Sequence, residues 1–306
     1  MSQEYEYHLI EFMITNPEEF QLLRLTLQNS HGANFYYRGH SNSQWNLSSS
    51  LERICFNEAR EEKEHFESAY FSHMNYYEND LLRIMQREIP NYLSGITLPE
   101  SNDYAGWLTL IQHYGGTTRL LDFTESFYIA LFFASHFGQE TSYTKSAVWG
   151  INYFSESFSE YMEERIQFDY LSNRFNELYK NYYRNDTLED NKILLLEPTI
   201  TNKRIIQQKG VFLYGANFKS NFLCNLFQCS REDVKSIIDD SIQIDIAEYK
   251  ENIEDLAEKV EKSRSIKIIF PQEINVYIGK ELRAMNINMR QLFPDIYGLM
   301  KHYYPG

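Results

Sequence analysis

Apolar residues recur at helical spacing in several separate stretches of this 306-residue chain. In residues 16–28, Phe20, Leu23 and Leu27 fall on one helical face, and Asn16 is a typical N-cap residue. A proline follows the cap, which suits a first helical turn because its missing N–H would have no partner there. This stretch therefore predicts a helix.

Similar patterns predict the other elements. Helices are expected at 58–87, 104–114, 125–137, 203–209 and 271–285. Extended segments are expected at 35–37, 117–123, 146–153, 193–196, 211–214 and 265–270. Strands separated by helices without regular alternation predict an α+β fold, with a mixed sheet surrounded by helices. We expect a single domain over 1–306, with a helical insertion at 156–190 and a C-terminal completion at 193–306.

The helix predicted at 125–137 is apolar on most of its surface, so Leu131 and Phe132 are expected to be buried. Its apolar run, 127–134, is far shorter than the roughly 20 residues that span a bilayer. The first residues also lack the basic start and apolar run of a signal peptide. The sequence therefore predicts a cytoplasmic protein with no membrane partner.

The charge balance limits the possible partners. Lys and Arg number 29 and Asp and Glu number 43, which gives a formal net charge of −14. Such a field repels phosphate backbones, so broad nucleic-acid binding is disfavoured, whereas a local basic pocket for a nucleotide is compatible with it. The three cysteines, Cys55, Cys224 and Cys229, form neither a disulfide scaffold nor a zinc pattern, and no metal site is predicted.

One candidate motif lies at the end of the first predicted strand, where Arg38 and Gly39 follow aromatic residues. A guanidinium offers a planar fork for phosphate or carboxylate, and a glycine lets a ligand or another backbone come close. The alternative is that Arg38 pairs with a core carboxylate. On this motif alone the alternative is the stronger interpretation.

A second motif runs from Gln112 to Thr124 and is dense in polar side chains next to a buried helix. Such side chains must find hydrogen bonds or lose hydration free energy. His113 is a candidate acid, base or ligand anchor. Arg119 and Asp122 are candidate ligand contacts, or else they pair with each other in a structural role.

A third motif contains Arg204 and Gln208, which share a face if 203–209 is helical. Both side chains then point into one polar pocket; the alternative is a solvated helix face that ends at Gly210. We predict that Arg38, His113, Arg119, Asp122 and Gln208 converge in one pocket. Near the C-terminus, Pro294 stops one helix and Asp295 caps the next.

These motifs resemble the FRG domain family, which is named after a Phe/Tyr-Arg-Gly triplet. The matching residues are Tyr37-Arg38-Gly39, the stretch QHYGGTTRLLDFT at 112–124, then Arg204, Gln208, Gly210 and Phe212, and finally Phe293-Pro294-Asp295 with Gly298. The tight resemblance covers 33–135. The visible departure is Phe123, where the family usually has Trp.

The order of the motifs is also similar to that of ADP-ribosyltransferases. That resemblance implies that Arg38 binds the phosphates or ribose of NAD and that Thr118 stands on the strand that supports the nicotinamide ribose. Gln208 falls where those enzymes have a glutamate, and the nearest acidic residue is Glu197. Because Gln208 is neutral, it cannot supply the charge that stabilises a developing cation.

Three hypotheses for the function follow. The first is an ADP-ribosyltransferase-like or NAD-cleaving enzyme, a toxin or anti-phage effector, with Gln208, Glu197 and His113 as candidate catalytic residues. The second is a module that senses a nucleotide or another anion without turnover. The third is an interaction protein whose aromatic helices bind a protein partner.

Overall fold

The computed structural model describes residues 7–31, 34–62, 65–93, 95, 97–136, 145–153, 176, 191–196 and 203–303. Within these ranges the chain forms a sheet of eight strands. The strands are β1 (Tyr7–Met13), β2 (Phe35–His40), β3 (Leu121–Thr124), β4 (Lys145–Asn152), β5 (Ile193–Leu196), β6 (Gly210–Gly215), β7 (Ile242–Ile244) and β8 (Ser263–Pro271).

The strand order in the sheet is β5-β6-β3-β2-β4-β8-β1-β7. β1 runs parallel to both β7 and β8, and the remaining neighbours are antiparallel. The sheet is therefore mixed, and the predicted α+β class is confirmed.

Helices pack on both faces of this sheet. They are α1 (Pro17–Asn29), α2 (Ser50–Ala59), α3 (Phe66–Asn75), α4 (Leu81–Glu88), α5 (Tyr104–His113), α6 (Phe127–His136), α7 (Lys203–Gln207), α8 (Phe222–Phe227), α9 (Arg231–Asp239), α10 (Ile253–Glu261), α11 (Asn275–Ala284), α12 (Met289–Leu292) and α13 (Ile296–Tyr303). A π-helical segment, Tyr76–Asp80, joins α3 to α4.

The largest core cluster lies between one face of the sheet and helices α1, α6, α10 and α11. α6 is its centre: Leu131 is 1% and Phe132 is 5% exposed, so the predicted burial of both residues is confirmed. On the opposite face, α8 packs against Trp149 and neighbouring strand residues. Alternation of side chains along each strand supplies both cores from one sheet.

A row of side chains in register crosses the sheet and ends at β2. Arg38 is paired with Trp149, Trp149 with Lys267, Lys267 with Glu11, and Glu11 with Gln243. Lys267 Nζ lies 3.2 Å from a Glu11 carboxylate oxygen and 5.3 Å from the Trp149 ring centroid. Arg38 is thus the last member of a polar and aromatic row on one face.

The helical stretch predicted over 58–87 is confirmed over 66–87, where α3, the π-helical segment and α4 follow one another, but the chain is not helical over 60–62. A capping box between Ser49 and Glu52 begins α2 earlier, and the chain leaves the helix after Ala59. The π-helical segment then places Glu78 in the interior, where its side chain is 1% exposed. The insertion predicted at 156–190 lies outside the described residues, except for Asn176.

Candidate functional site

A cavity of about 1000 Å³ opens beside the end of β2. Its walls come from β2 and the loop that follows it, from β3 and β6, and from α2, α5, α6 and α7. Because β3 lies between β2 and β6 in the sheet, the three sequence motifs meet at one place. The charged lining residues are three arginines and one carboxylate: Arg38, Arg53, Arg204 and Asp122.

Arg38 is held by two hydrogen bonds within the protein. Its Nε–H donates to His40 Nε2 at 3.2 Å, and its Nη1 donates to the main-chain oxygen of Asp122 at 2.6 Å. Nη1 also lies 3.8 Å from the Asp122 carboxylate, whose side chain is 67% exposed. Nη2 makes no hydrogen bond to any residue that the structure describes, so this donor is available on the cavity wall.

Burial and neighbouring charges shift the pKa values of Arg38 and His40. Burial lowers the pKa of Arg38, and Asp122 acts in the opposite direction. Burial and the nearby Arg38 charge also lower the pKa of His40 to about 3. His40 is therefore neutral near pH 7 and can accept from Arg38.

A chain of hydrogen bonds positions the carboxylate partner of Arg38. The Thr118 hydroxyl donates to Gln112 Oε1, and Gln112 Nε2 donates to Asp122 Oδ1 at 2.8 Å. Thr118 itself is buried and does not line the cavity. Thr118, predicted as a ligand contact, is thus separated from the cavity by Gln112, which orients Asp122.

Gly39 permits a close helix-to-strand contact. A Cβ added there would collide with the Ala130 carbonyl oxygen and come within 2.6 Å of the Ala134 nitrogen. The expectation that this glycine admits another backbone is confirmed, and the backbone is that of α6.

The third motif faces the cavity as the helical spacing predicted. Arg204 and Gln208 both line it, and the Arg204 guanidinium carbon lies 4.3 Å from the Phe293 ring centroid. The Gln208 side chain donates to the Leu292 carbonyl at 3.1 Å, which fixes the amide. His113 lines the same cavity, where partial burial and Arg204 lower its pKa while Asp295 opposes the shift.

The prediction that Arg119 joins this pocket is wrong. Its side chain is 3% exposed and its Nε lies 2.7 Å from the Glu78 carboxylate. The guanidinium also contacts the Tyr214 hydroxyl and lies 3.7 Å from the Phe218 ring centroid. The suggested Arg119–Asp122 pair is therefore not formed, because each residue has another partner.

Glu197, the predicted acidic residue near the third motif, lies outside the described residues. Asp295 accepts a hydrogen bond from the Gly298 N–H at 2.9 Å, as its predicted capping role requires. Within the described ranges, no three His, Cys, Asp or Glu side chains come together as a possible metal site. No helix in those ranges combines the length and the apolar character that crossing a membrane requires.

Much of the sequence that forms this site matches a known protein family. Residues 33–142 match the family model of the FRG domain. The chain contains an FRG domain. No match was found among curated proteins or among solved structures. The FRG domain supplies Arg38, Arg53, His113 and Asp122, while α7 and β6 lie outside the matched residues, so the cavity needs both parts of the chain.

Three cavity residues were missed as candidates. Arg53 donates from Nη1 to the Ser48 carbonyl at 2.6 Å, and nothing in its helical spacing indicates a cavity. His40 directly follows Arg38-Gly39, and Gln112 directly precedes His113, so both stand beside candidate residues. Their dense polar context within the FRG domain was the available signal.

Proposed function

We propose that the FRG-domain cavity binds a small-molecule nucleotide through its phosphate groups, with NAD as the first candidate. One observation carries the proposal: a chain with a net charge of −14 places three arginines and one carboxylate around a single cavity of about 1000 Å³. Arginine binds phosphate through paired N–H groups, and such charge-assisted hydrogen bonds are among the strongest in proteins.

The size and composition of the cavity support a nucleotide over a simple anion. Its volume of about 1000 Å³ is at the upper end of the range for ligand pockets. Trp45 lines the cavity and is 44% exposed, and Phe133 lines it as well. Aromatic faces of this kind stack on nucleobases, typically with about 1–3 kcal/mol per base.

NAD cleavage is a second candidate, favoured by the presence of Asp122 and His113 in the same cavity. Hydrolysis would break the bond between nicotinamide and ribose, nicotinamide would leave with the bonding electrons, and water would add to the ribose carbon and lose a proton. A carboxylate stabilises the developing cation, and a neutral imidazole accepts the proton of water. Gln208 offers only a hydrogen bond, so this candidate rests on Asp122 or Glu197.

An ADP-ribosyltransferase-like toxin or anti-phage effector would act through this second candidate, since it would consume or transfer part of NAD. A protein partner, the third hypothesis, would instead act on the outer surface of the helices. The three hypotheses differ in what happens to NAD.

Two measurements test the proposal. Calorimetric titration with ADP-ribose, which carries the phosphates but cannot release nicotinamide, reports binding alone. Incubation with NAD, followed by chromatography for free nicotinamide, reports cleavage. We expect ADP-ribose to bind the wild type and Arg204→Gln to weaken it about tenfold.

The matched control is Arg290→Gln, which removes the same charge from an exposed position of α12 that does not line the cavity. It should bind ADP-ribose as the wild type does. Equal weakening by both substitutions would indicate a general charge effect and contradict the proposed site. Binding without nicotinamide release would favour the sensing module, and release would favour the enzyme.

A further inference from the structure

A second cavity, of about 560 Å³, lies next to the first on the far side of the Asn46–Ser48 segment. It is lined by α2, α3, the start of α8 and the whole length of α9. Asn46, Ser48 and Arg53 line both cavities, so one thin wall separates them.

Two buried donors in this second cavity have no hydrogen-bond partner among the described residues. The Tyr70 side chain is 0% exposed and its hydroxyl is unpaired. Arg231 Nη2 is also buried and unpaired. The Arg231 guanidinium carbon lies over the Tyr70 ring, 4.8 Å from its centroid, so the two residues that carry these donors are in contact.

The remaining contacts of Arg231 leave this donor unsatisfied. Its Nε lies 3.4 Å from the Glu67 carboxylate, whose side chain is 68% exposed. The Arg231 guanidinium carbon also lies over the Phe66 ring, 5.0 Å from its centroid. Burying a donor without a partner costs free energy, so native structures seldom keep two of them together without a use.

The rest of the lining defines what could satisfy these donors. Phe56, Leu223, Val234 and Ile238 give an apolar wall. The cations are Arg53, Arg231 and Lys235, and the carboxylates are Glu52 and Asp239. Glu52 already accepts the Ser49 N–H at 2.9 Å as part of its capping box, so it is committed to the backbone.

We propose that this second cavity is a separate ligand site for a compact molecule that bears one oxyanion group on an apolar body. The oxyanion, a phosphate or a carboxylate, accepts from the Tyr70 hydroxyl and Arg231 Nη2. The apolar body packs between α2 and α9. This site does not depend on the proposed nucleotide function, because neither Tyr70 nor Arg231 lines the first cavity.

Phenyl phosphate and benzoate are suitable probes, because they share an apolar ring and differ in the oxyanion. Calorimetric titration of the full chain should detect at least one of them, and the tighter probe identifies the oxyanion class. Tyr70→Phe removes only the hydroxyl and should weaken that probe about tenfold or more. Arg231→Gln should weaken it similarly.

Thermal unfolding without a probe gives an independent readout. Because the Tyr70 hydroxyl is buried without a partner, Tyr70→Phe should leave the melting temperature unchanged or raise it. A lower melting temperature would show that the hydroxyl has an internal role and would overturn the proposal. The proposal is also overturned if neither probe binds, or if Tyr70→Phe binds as the wild type does.

The control separates the two cavities. Arg204→Gln changes only the first cavity, so it should leave the affinity for the probe unchanged while weakening ADP-ribose. Loss of probe binding in Arg204→Gln would place the probe in the first cavity and contradict the second site. Failure of ADP-ribose to bind, with probe binding intact, would contradict the nucleotide proposal alone.

Discussion

Arg38 Nε lies 3.2 Å from His40 Nε2, and this contact fixes the protonation state of the histidine. Because Arg38 always donates, His40 Nε2 must accept and therefore carries no proton. Nδ1 then carries the proton and donates to the Trp45 carbonyl oxygen at 3.2 Å. The orientation of Arg38 thus depends on a neutral imidazole.

This dependence predicts that acid destabilises the protein. The pKa of His40 is about 3 in the folded state and 6.5 by its ordinary value, so the unfolded state binds the proton first as pH falls. Stability from this group is complete above pH 6.5 and decreases as pH falls towards 3. Between pH 7 and pH 5 the loss is about 2 kcal/mol.

His40→Gln keeps an acceptor for Arg38 and removes the titration. Urea unfolding at pH 7 and pH 5 should show that the stability difference between the two proteins shifts by about 2 kcal/mol in favour of the variant at low pH. An identical pH dependence in both proteins would mean that His40 is not held neutral.

The Gly39 contact predicts a large packing effect. Gly39→Ala places a methyl group against the α6 backbone at Ala130, which neither element can avoid by a rotamer change. We expect a loss of about 1–3 kcal/mol or more in the free energy of unfolding. Gly279→Ala, in α11 with no atom within 4 Å of the added Cβ, should instead stabilise by about 0.5–1 kcal/mol. Equal effects at the two glycines would contradict this packing.

The buried Arg119–Glu78 pair predicts a structural role for Arg119. Glu78→Gln leaves a buried guanidinium without its counter-charge and should cost about 3–5 kcal/mol of unfolding free energy. Glu258→Gln is the matched control, because its pair with Lys262 is exposed and should cost less than about 1 kcal/mol. A cost for Glu78→Gln as small as that of the control would mean that Arg119 does not need this partner.

Arg38→Lys tests the fork geometry. Lysine keeps the charge but cannot donate to His40 and Asp122 while also presenting a second donor to phosphate. The affinity for ADP-ribose should fall about tenfold or more, measured by calorimetry, while thermal unfolding shows a folded protein. Full affinity in the lysine variant would show that only the charge matters.

Local signals explain what the sequence predicted correctly. The start of α1 was predictable because Asn16 accepts a hydrogen bond from the Glu19 N–H, a contact between near neighbours. The burial of α6 followed from its apolar surface alone. The convergence of Arg38, Asp122 and Gln208 on one cavity was predictable in the same way, because their motifs stand next to buried elements.

Long-range contacts explain which elements could not be predicted from the sequence. β1 contains Glu11, a carboxylate that is 8% exposed, and its partner Lys267 lies near the other end of the chain. Nothing near Glu11 in the sequence shows that this charge is paired. A strand at β1, between β8 and β7, was therefore not predicted.

The error over Arg119 has a geometric cause. Arg119 lies at a bend before β3 begins at Leu121, whereas Asp122 lies within the strand, so the two side chains do not share one strand face. Asp122 faces Arg38 and the cavity, whereas Arg119 faces Glu78 in the interior. Within the polar motif at 112–124, some side chains therefore line the first cavity and others are buried in the interior.

A crystal structure of the protein with ADP-ribose shows where the phosphates bind. We expect the phosphate oxygens to lie within hydrogen-bond distance of Arg38 Nη2 and of Arg53 or Arg204, inside the first cavity. ADP-ribose bound elsewhere, or a first cavity without it at saturating concentration, would mean that this cavity is not the nucleotide site.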